Sequence, residues 1–446
     1  MFGAISDRIP ISLYNTRYMN DAIERLRLRI DALAYGPYGI GRHNGRVVMV
    51  PLTVPGDEIE ATIVEDKGNY AVGALTRIVV PSPARQEPPC PYVGDCGGCP
   101  WQMVRYEAQL EAKQKSVADA LRRIGKLENY ELLPIIPSPE EYRYRRRIRL
   151  HVAPGRRLGY HRLFSHQLIE IASCLIAAEG ADRRLDAARA WIDRLVSRVV
   201  EVEIVEGDSG GNVVLAGKVD GDIAADDDAA AKAFLNEHTD VAGVVLFGKN
   251  CRRSWGRDKI TVVPEDGLEM EVEAEVFTQV NREGNRRLVR ELIDWGAFTP
   301  SDRVLELYSG AGNFTLPLAR RAGAVVAVEG DAGAVENGKK NGDKHNLKNI
   351  RWMQSHAPKA SRRLRETGEK FTKIVLDPPR SGAKGLENDL AALGAERIFY
   401  VSCNPATLAR DLAGLAQKGY ALKRIRPVDL FPHAFHVEAL AELALK

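Results

Sequence analysis

The hydrophobic and polar positions of the chain change period twice. From Asp21 to about Val80, short apolar runs alternate with polar residues and are cut by Gly36-Pro-Tyr-Gly, Gly45 and Pro55-Gly-Asp. Short strands closed by such turns predict a small antiparallel barrel. Residues 101–127 pass to helical spacing, with Tyr106, Leu110, Lys113, Val117 and Leu121 in step. Between about 181 and 275, helix and strand patterns alternate without a clear plan, and the Asp- and Ala-rich stretch 220–233 reads as a loop. After Phe277-Thr-Gln-Val-Asn281 and a helix, apolar runs ending at Leu307, Glu329, Leu376 and Ser402 alternate with helical segments. That alternation predicts a doubly wound parallel sheet, whose ligands bind at the carboxyl ends of the strands.

Those strand ends carry the candidate chemistry. Leu307-Tyr-Ser-Gly-Ala-Gly-Asn313 is a Gly-rich turn between strand and helix, in which Gly310 and Gly312 let a ligand approach the backbone. Thr315 stands where a nicotinamide fingerprint wants a third glycine, so the turn suits S-adenosylmethionine at least as well as a dinucleotide. Glu329 ends the next strand, where a carboxylate accepts from ribose hydroxyls. Asp377-Pro-Pro-Arg380 ends another, with two prolines fixing the backbone around the acid. Phe399-Tyr-Val-Ser-Cys-Asn-Pro405 places Cys403 between a strand and a helix start, where unpaired amides stabilise a thiolate and lower its pKa. The plain alternative is a buried structural thiol. Glu438, before the last apolar run, joins this rim as a carboxylate near a nucleophile, a recognisable catalytic pair.

The remaining signals lie upstream. Residues 143–149 hold five arginines in seven positions; in a strand, Arg145, Arg147, Arg149 and His151 share one face, and Ile148, Leu150 and Val152 the other. The arginine face is a candidate RNA contact, against the bland reading of a solvated charged strand. A Pro-rich connector at 81–89 leads to Cys90, Cys96 and Cys99, three thiols within ten residues that converge on one centre if a fourth ligand joins them. Cys174 is that candidate, with Cys251 competing for the place; four thiolates suit zinc or an iron-sulfur cluster.

Composition narrows the class without naming a partner. With 446 residues, 45% hydrophobic and 28% charged, the chain reads as a globular protein of several domains. A net charge of +3 is too small to imply nucleic acid by itself. No run reaches the roughly 18 apolar residues of a membrane span, and the first twenty residues lack a signal-peptide core. A cytoplasmic protein with no membrane partner is expected, and residues 1–20 read as an extension of unknown role.

Phe277-x-Gln279-x-Asn281, the Leu307–Ala319 turn, Asp377-Pro-Pro-Arg, Ser402-Cys-Asn-Pro-Ala-Thr-Leu-Ala-Arg-Asp411 and Phe431-Pro-His-x-x-His-Val-Glu438 together resemble the RNA uracil-5-methyltransferase family. Residues 21–80 are similar to a TRAM domain, an OB-like RNA-binding module. The cysteines resemble the iron-sulfur branch, typified by the large-subunit ribosomal RNA enzyme. The resemblance implies an α/β fold: a Rossmann-like class I methyltransferase domain at 276–446, an OB-like barrel at 21–80 and a central iron-sulfur α+β domain at 81–275. It implies Cys403 as nucleophile, Glu438 as base, and Arg149 and Asp377 as active-site residues. Gln279, Tyr308, Gly310, Gly312, Asn313, Glu329, His356 and Asp377 become cofactor or uracil contacts. Cys90, Cys96, Cys99 and Cys174 become ligands of a [4Fe-4S] cluster, the second implied cofactor after S-adenosyl-L-methionine. Ser309 and His356 depart from the family's usual Cys and Asn or Asp. The implied partner of a monomeric enzyme is RNA, ribosomal in first place and transfer RNA in second. Asp377-Pro-Pro alone also suits an amino-methyltransferase, and an inactive RNA-binding relative is the reading from another class.

Overall fold

The computed structural model describes residues 25–208 and 212–446, so the expected extension at 1–20 lies outside the described residues. The chain forms two compact units, each assembled from separate stretches: residues up to Ser116 with Ala153–Cys174 and Phe431–His436, and Val117–Val152 with Leu175–Leu430 and Val437–Lys446. The stretch 81–275, expected as one central domain, is thus shared between the two. The reason is that its strand Arg147–Ala153 and strand Val199–Glu206 pair with each other, whereas the cysteine segment packs with the barrel.

The barrel follows from the alternation that predicts it. Strand β1 (Arg25–Leu33) turns Leu26, Leu28 and Ile30 inward and Arg25, Arg27 and Arg29 outward. Strands β2 (Tyr38–His43), β3 (Arg46–Pro51), β4 (Glu58–Asp66) and β5 (Tyr70–Val80) close it in the order β1-β2-β3-β5-β4. His43 pairs with Arg46 across Asn44-Gly45, both at positive φ (49° and 80°), the pair of residues that a tight hairpin of this hand requires. Asp57 is fully buried below the barrel and is matched by Arg85 at 2.6 Å and by the amides of Val54 and Ser82 at 2.7 and 2.8 Å. A buried charge without such partners costs several kcal/mol, about the worth of a domain's whole margin.

The same unit holds the cysteine segment. Trp101 fills the barrel core and donates its indole N–H to the Gly36 carbonyl at 3.1 Å. Gln109 ties down the segment from Phe431 to His436, accepting from the His433 amide at 2.8 Å. The helix expected over 101–127 runs Tyr106–Ala120 with a wider turn at Leu121–Gly125, because Trp101–Val104 instead form a turn that buries three of their four side chains as apolar anchors.

The second unit is built on an eight-stranded sheet in the order Ile350–Gln354, Ala324–Glu329, Arg303–Leu307, Lys373–Leu376, Arg397–Ser402, Glu438–Leu445, Tyr420–Val428, Glu131–Leu132. The first five strands are parallel, as the alternation predicts. Glu438–Leu445 then runs antiparallel between its neighbours, so both its ends meet strand ends of the parallel set. Leu305, Val326, Ile374, Ile398, Tyr400 and Leu443 are buried in the sheet's core cluster. A second sheet in this unit pairs Arg252–Gly256, Gly243–Phe247, Val213–Val219, Val199–Glu206 and Arg147–Ala153 in that order. The loop expected at 220–233 is a helix from Asp227 to Glu237. Its alanines favour the helix, and Asp227 in the first turn accepts from the Val196 amide at 2.6 Å, a side-chain role the composition hides. No helix of the described residues is long and apolar enough to cross a membrane.

Candidate active site

Four strand ends of the larger sheet and the start of its antiparallel strand build one rim. On the first, Tyr308 follows the strand at φ 63°, followed by Gly310 at 54° and Gly312 at 105°. A non-glycine residue held at positive φ is strained, and such strain gathers at functional turns. The Gly310 amide donates to Glu329 Oε2 at 3.0 Å, and a Cβ added at Gly310 would meet nothing within 4 Å. The turn is therefore an open cradle beside the second strand's terminal carboxylate. Glu329 Oε1 accepts from the Asp331 amide at 2.8 Å, which fixes the carboxylate and leaves each oxygen a further lone pair. His356 caps the next helix start, exposed, with its Nδ1 3.0 Å from where a Gly330 Cβ would lie. Gly310, Gly312, Tyr308, Glu329 and His356 thus flank one slot at the carboxyl edge.

Asn313 and Gln279 are held differently. Asn313 exchanges two amide hydrogen bonds with Asn285, at 2.8 and 3.0 Å, so its side chain is spent on the helix Arg282–Gly296. Gln279 is anchored through its carbonyl, which accepts from Arg146 Nε at 2.8 Å, while its side chain stays half-buried. Asn281 is the N-cap of the following helix, accepting from the Gly284 amide at 2.9 Å.

Cys403 ends strand Arg397–Ser402, and Asn404 caps the helix Pro405–Ala416 by accepting from the Ala406 amide at 3.0 Å. The antiparallel register pairs Ser402 with Ala439, so Cys403 and Glu438 are the next opposed positions. Glu438 is buried, and Asp377 completes the group from the end of strand Lys373–Leu376. Burial pushes the Asp377 carboxyl up to about 7. Burial, and then the Asp377 charge, hold Glu438 well above the usual carboxylate range, with Arg380 opposing.

The thiol does not behave as the helix start alone would dictate. Burial, then the Glu438 and Asp377 carboxylates, push Cys403 up to about 12, against a smaller opposing pull from Arg380. Desolvation and two like charges outweigh a partial helix dipole. Both groups of the pair are thus shifted toward their protonated forms.

Two side chains escaped the sequence reading. Glu306, buried in the strand Arg303–Leu307, is pushed up to about 8 by burial, with the Asp377 and Glu329 charges adding, and its Oε2 has no hydrogen-bond partner. A lone acid inside an otherwise apolar run was the available signal. Asp411 is buried beneath the Asp377 loop, accepting from the Tyr400 hydroxyl and the Ala383 amide, both at 2.7 Å.

Of the face expected from Arg145, Arg147, Arg149 and His151, Arg147 is buried, Arg145 and His151 are half-buried and Arg149 is exposed. The strand begins only at Arg147, and Arg146 and Arg147 are buried, the first on Asp208 at 2.6 Å and the second on Glu203. Arg147 also donates to the Val276 carbonyl at 2.7 Å. These two arginines hold the Gln279 loop. Arg149 is exposed and shares Glu203 with Arg147, at 2.6 Å. Alternation failed here because an acidic neighbour strand can bury guanidinium groups that composition alone assigns to solvent.

Cys90, Cys96, Cys99 and Cys174 lie in the barrel unit, all partly buried. Burial pushes the Cys96 thiol up to about 11, with Cys174 and Cys90 adding to it, and burial followed by Cys174 raises Cys90. The Cys174 thiol therefore acts on Cys90 and Cys96, and the Tyr92 hydroxyl, accepting from the Ala172 amide at 2.9 Å, ties the two segments together. Among the described residues, no group of three or more His, Cys, Asp or Glu side chains is closed to metal-holding distance. Cys251 lies apart, its thiol 3.6 Å from the Gly221 carbonyl.

Comparison with known proteins places the chain among RNA-modifying enzymes. A model described as tRNA (Uracil-5-)-methyltransferase matches residues 257–444, and the TRAM domain model matches 24–76. A 23S rRNA (uracil(1939)-C(5))-methyltransferase of Enterobacter sp. (strain 638) is 33% identical over 93% of this chain and 95% of its own. The enzyme of the same name from Vibrio parahaemolyticus is 32% identical over 96% of each. Among solved structures, the Pyrococcus abyssi tRNA (uracil-54, C5)-methyltransferase in complex with S-adenosyl-L-homocysteine superposes with a TM-score of 0.73, at 25% identity, covering 94% of this chain and 100% of that one.

Proposed function

The chain belongs to the RNA uracil-5-methyltransferase family, and we propose that its rim methylates C5 of one uridine in RNA, 23S ribosomal RNA in first place, through an adduct on Cys403. The observation that carries the reading is the opposition of Cys403 and Glu438 beside Asp377, a thiol and two carboxyls whose protonation the site itself adjusts.

S-adenosylmethionine, when bound in the slot of Tyr308, Gly310, Gly312, Glu329 and His356, supplies an electrophilic methyl group. The chain's residues make uracil able to take it. C5 of uracil is a poor nucleophile, so the Cys403 sulfur adds to C6, and the electron pair released into the ring makes C5 enolate-like. Once C5 carries the methyl group, Glu438 as carboxylate takes the C5 proton, the C5–C6 double bond returns and the C6–S bond breaks. Asp377, raised to about 7, would hydrogen-bond the base or the cofactor. A base paired within folded RNA must leave its stack to reach this depth. The TRAM-like barrel, with Arg25, Arg27 and Arg29 on its outer face, supports an RNA contact by phosphate attraction.

For the cluster, Cys90, Cys96, Cys99 and Cys174 are the donor set, and burial, which raises the Cys90 and Cys96 thiols, means that metal must displace their protons to draw the set together. A [4Fe-4S] group held there supplies rigidity to the segments it joins. Brown colour in protein purified without oxygen supports this; a colourless zinc protein overturns it.

The defining experiment maps 5-methyluridine in ribosomal and transfer RNA from cells lacking this protein. Loss of one site in 23S RNA, restored by the native chain and not by Cys403→Ala, is the expected result. Loss only in transfer RNA moves the substrate, and no loss in any RNA overturns the reading.

A further inference from the structure

The resting site has a difficulty that its own carboxylates create: the sulfur that must attack faces two acids and is buried. The loop after Asp377 carries the opposing charge. Asp377-Pro-Pro leads into Arg380, whose carbonyl accepts from Thr407 Oγ1 at 3.2 Å and from Asn404 Nδ2 at 3.5 Å. The next carbonyl, of Ser381, accepts from Arg410 Nη2 at 2.9 Å, and the Ala383 amide donates to Asp411 at 2.7 Å. All four of these partners belong to the helix Pro405–Ala416 or to its cap, which begins one residue after Cys403. The loop bearing Arg380 and the residue bearing the sulfur are therefore fastened to the same helix start. Arg410, the other cation here, is committed to Asp411 and the Ser381 carbonyl.

We propose that Arg380 is a positioning residue for the nucleophile: clamped to the helix that follows Cys403, its guanidinium holds the sulfur as an anion long enough to attack C6. The inference rests on Cys403 as nucleophile and adds the group that offsets Glu438 and Asp377. The charged groups that act on the sulfur are Glu438 from the antiparallel strand, and Asp377 and Arg380 from the loop whose Arg380 carbonyl is fastened to Asn404 and Thr407. Arg380 also acts on Glu438 in the direction of the carboxylate, so one cation serves both partners. Its side chain is exposed, which keeps the effect below that of a buried pair.

The test needs neither RNA nor turnover. Full-length protein is alkylated with iodoacetamide over a pH series, the sulfur displacing iodide, and labelling of Cys403 is read by peptide mass. Arg380→Ala is expected to slow Cys403 labelling at a fixed pH by roughly threefold to tenfold, and Arg380→Lys to restore most of it. Labelling of Arg380→Ala that follows the native pH curve overturns the proposal. S-adenosylmethionine binding by each variant reports that the fold is kept. Where Arg380→Ala loses that binding, Thr407→Val, which loosens the loop without removing charge, decides: slower labelling supports the proposal and native labelling overturns it. Full RNA methylation by Cys403→Ser removes the nucleophile reading by itself and leaves the Arg380–Cys403 relation measured.

Discussion

Cys403 and Glu438 lie one position beyond the Ser402–Ala439 register of an antiparallel strand pair, and the Glu438 charge, after burial, favours the protonated thiol. A parallel last strand would have carried Glu438 to the far edge of the sheet. The reversal of Glu438–Leu445 is what brings the acid to the cysteine, and it determines how the site titrates.

The first prediction follows from that effect. Attack needs the thiolate and proton removal needs the carboxylate, yet burial, then the Glu438 and Asp377 charges, push the thiol up to about 12. Single-turnover methyl transfer should therefore climb with pH through the neutral and mildly alkaline range, by up to roughly tenfold per unit. Rapid-quench rates at saturating cofactor and RNA would show it. A plateau from pH 6 upward would mean that the sulfur is already ionised in the complex.

Stability should run the other way. Glu306 and Asp377 have folded pKa values of about 8 and about 7, above their ordinary values of 4.5 and 3.8. A group raised on folding contributes stability that is present in full below its unfolded pKa and lost as pH rises through the folded one. Each therefore lowers stability by about 1.4 kcal/mol per pH unit across its window, from near 4 to near 7 or 8. Urea unfolding of the cofactor-free protein should show this decline, and Glu306→Gln should remove its share of the slope up to about pH 8, leaving that of Asp377 below about pH 7. An unchanged slope in that variant would show Glu306 to be ionised already.

Glu438→Gln separates the two halves of the reaction. Addition of the sulfur and transfer of the methyl group do not need the base, whereas release does. The variant should accumulate RNA joined to protein, stable to denaturing electrophoresis, with turnover lowered by at least about a hundredfold. Removing the Glu438 charge should also ease ionisation of Cys403, so the adduct should form at lower pH than the native rate profile suggests. Absence of any adduct, with RNA and cofactor bound, would move the base role elsewhere.

The strand ends were legible because turn chemistry and the apolar runs agree: Gly310, Glu329, Asp377 and Cys403 each come after a mainly apolar run, and the parallel sheet carries them to one edge. The barrel was legible for the same reason, its alternation being strict in β1. Pairings between distant segments were not legible. Nothing local says that Asn313 is taken by Asn285, or that Phe431–His436 groups with the barrel while Glu438, two residues on, belongs to the catalytic sheet. The arginine-rich stretch misled for a related reason, since Asp208 and Glu203, which bury Arg146 and Arg147, lie some sixty residues away.

That misreading leads to a further prediction, at Asp208. Its side chain is 3% exposed and that of Arg146 1%, with 2.6 Å between them, and Asp208 also accepts from the Val263 amide at 2.7 Å. Desolvation pulls the Arg146 guanidinium below its ordinary range, and the Asp208 charge opposes that pull. Asp208→Asn leaves a buried cation without its partner, which costs about 3–5 kcal/mol. Arg146 also donates to the Gln279 carbonyl, so the same change should loosen the Gln279 loop and weaken S-adenosylmethionine binding beyond what the lost stability explains. Replacing both partners, Arg146→Met with Asp208→Leu, removes the unpaired charge and should recover much of the stability but not the cofactor affinity. Denaturant melts and calorimetric titration of the three proteins distinguish the two effects. Recovery of both together would make the pair a packing device only, and a loss under about 1 kcal/mol in Asp208→Asn would show that water reaches Arg146.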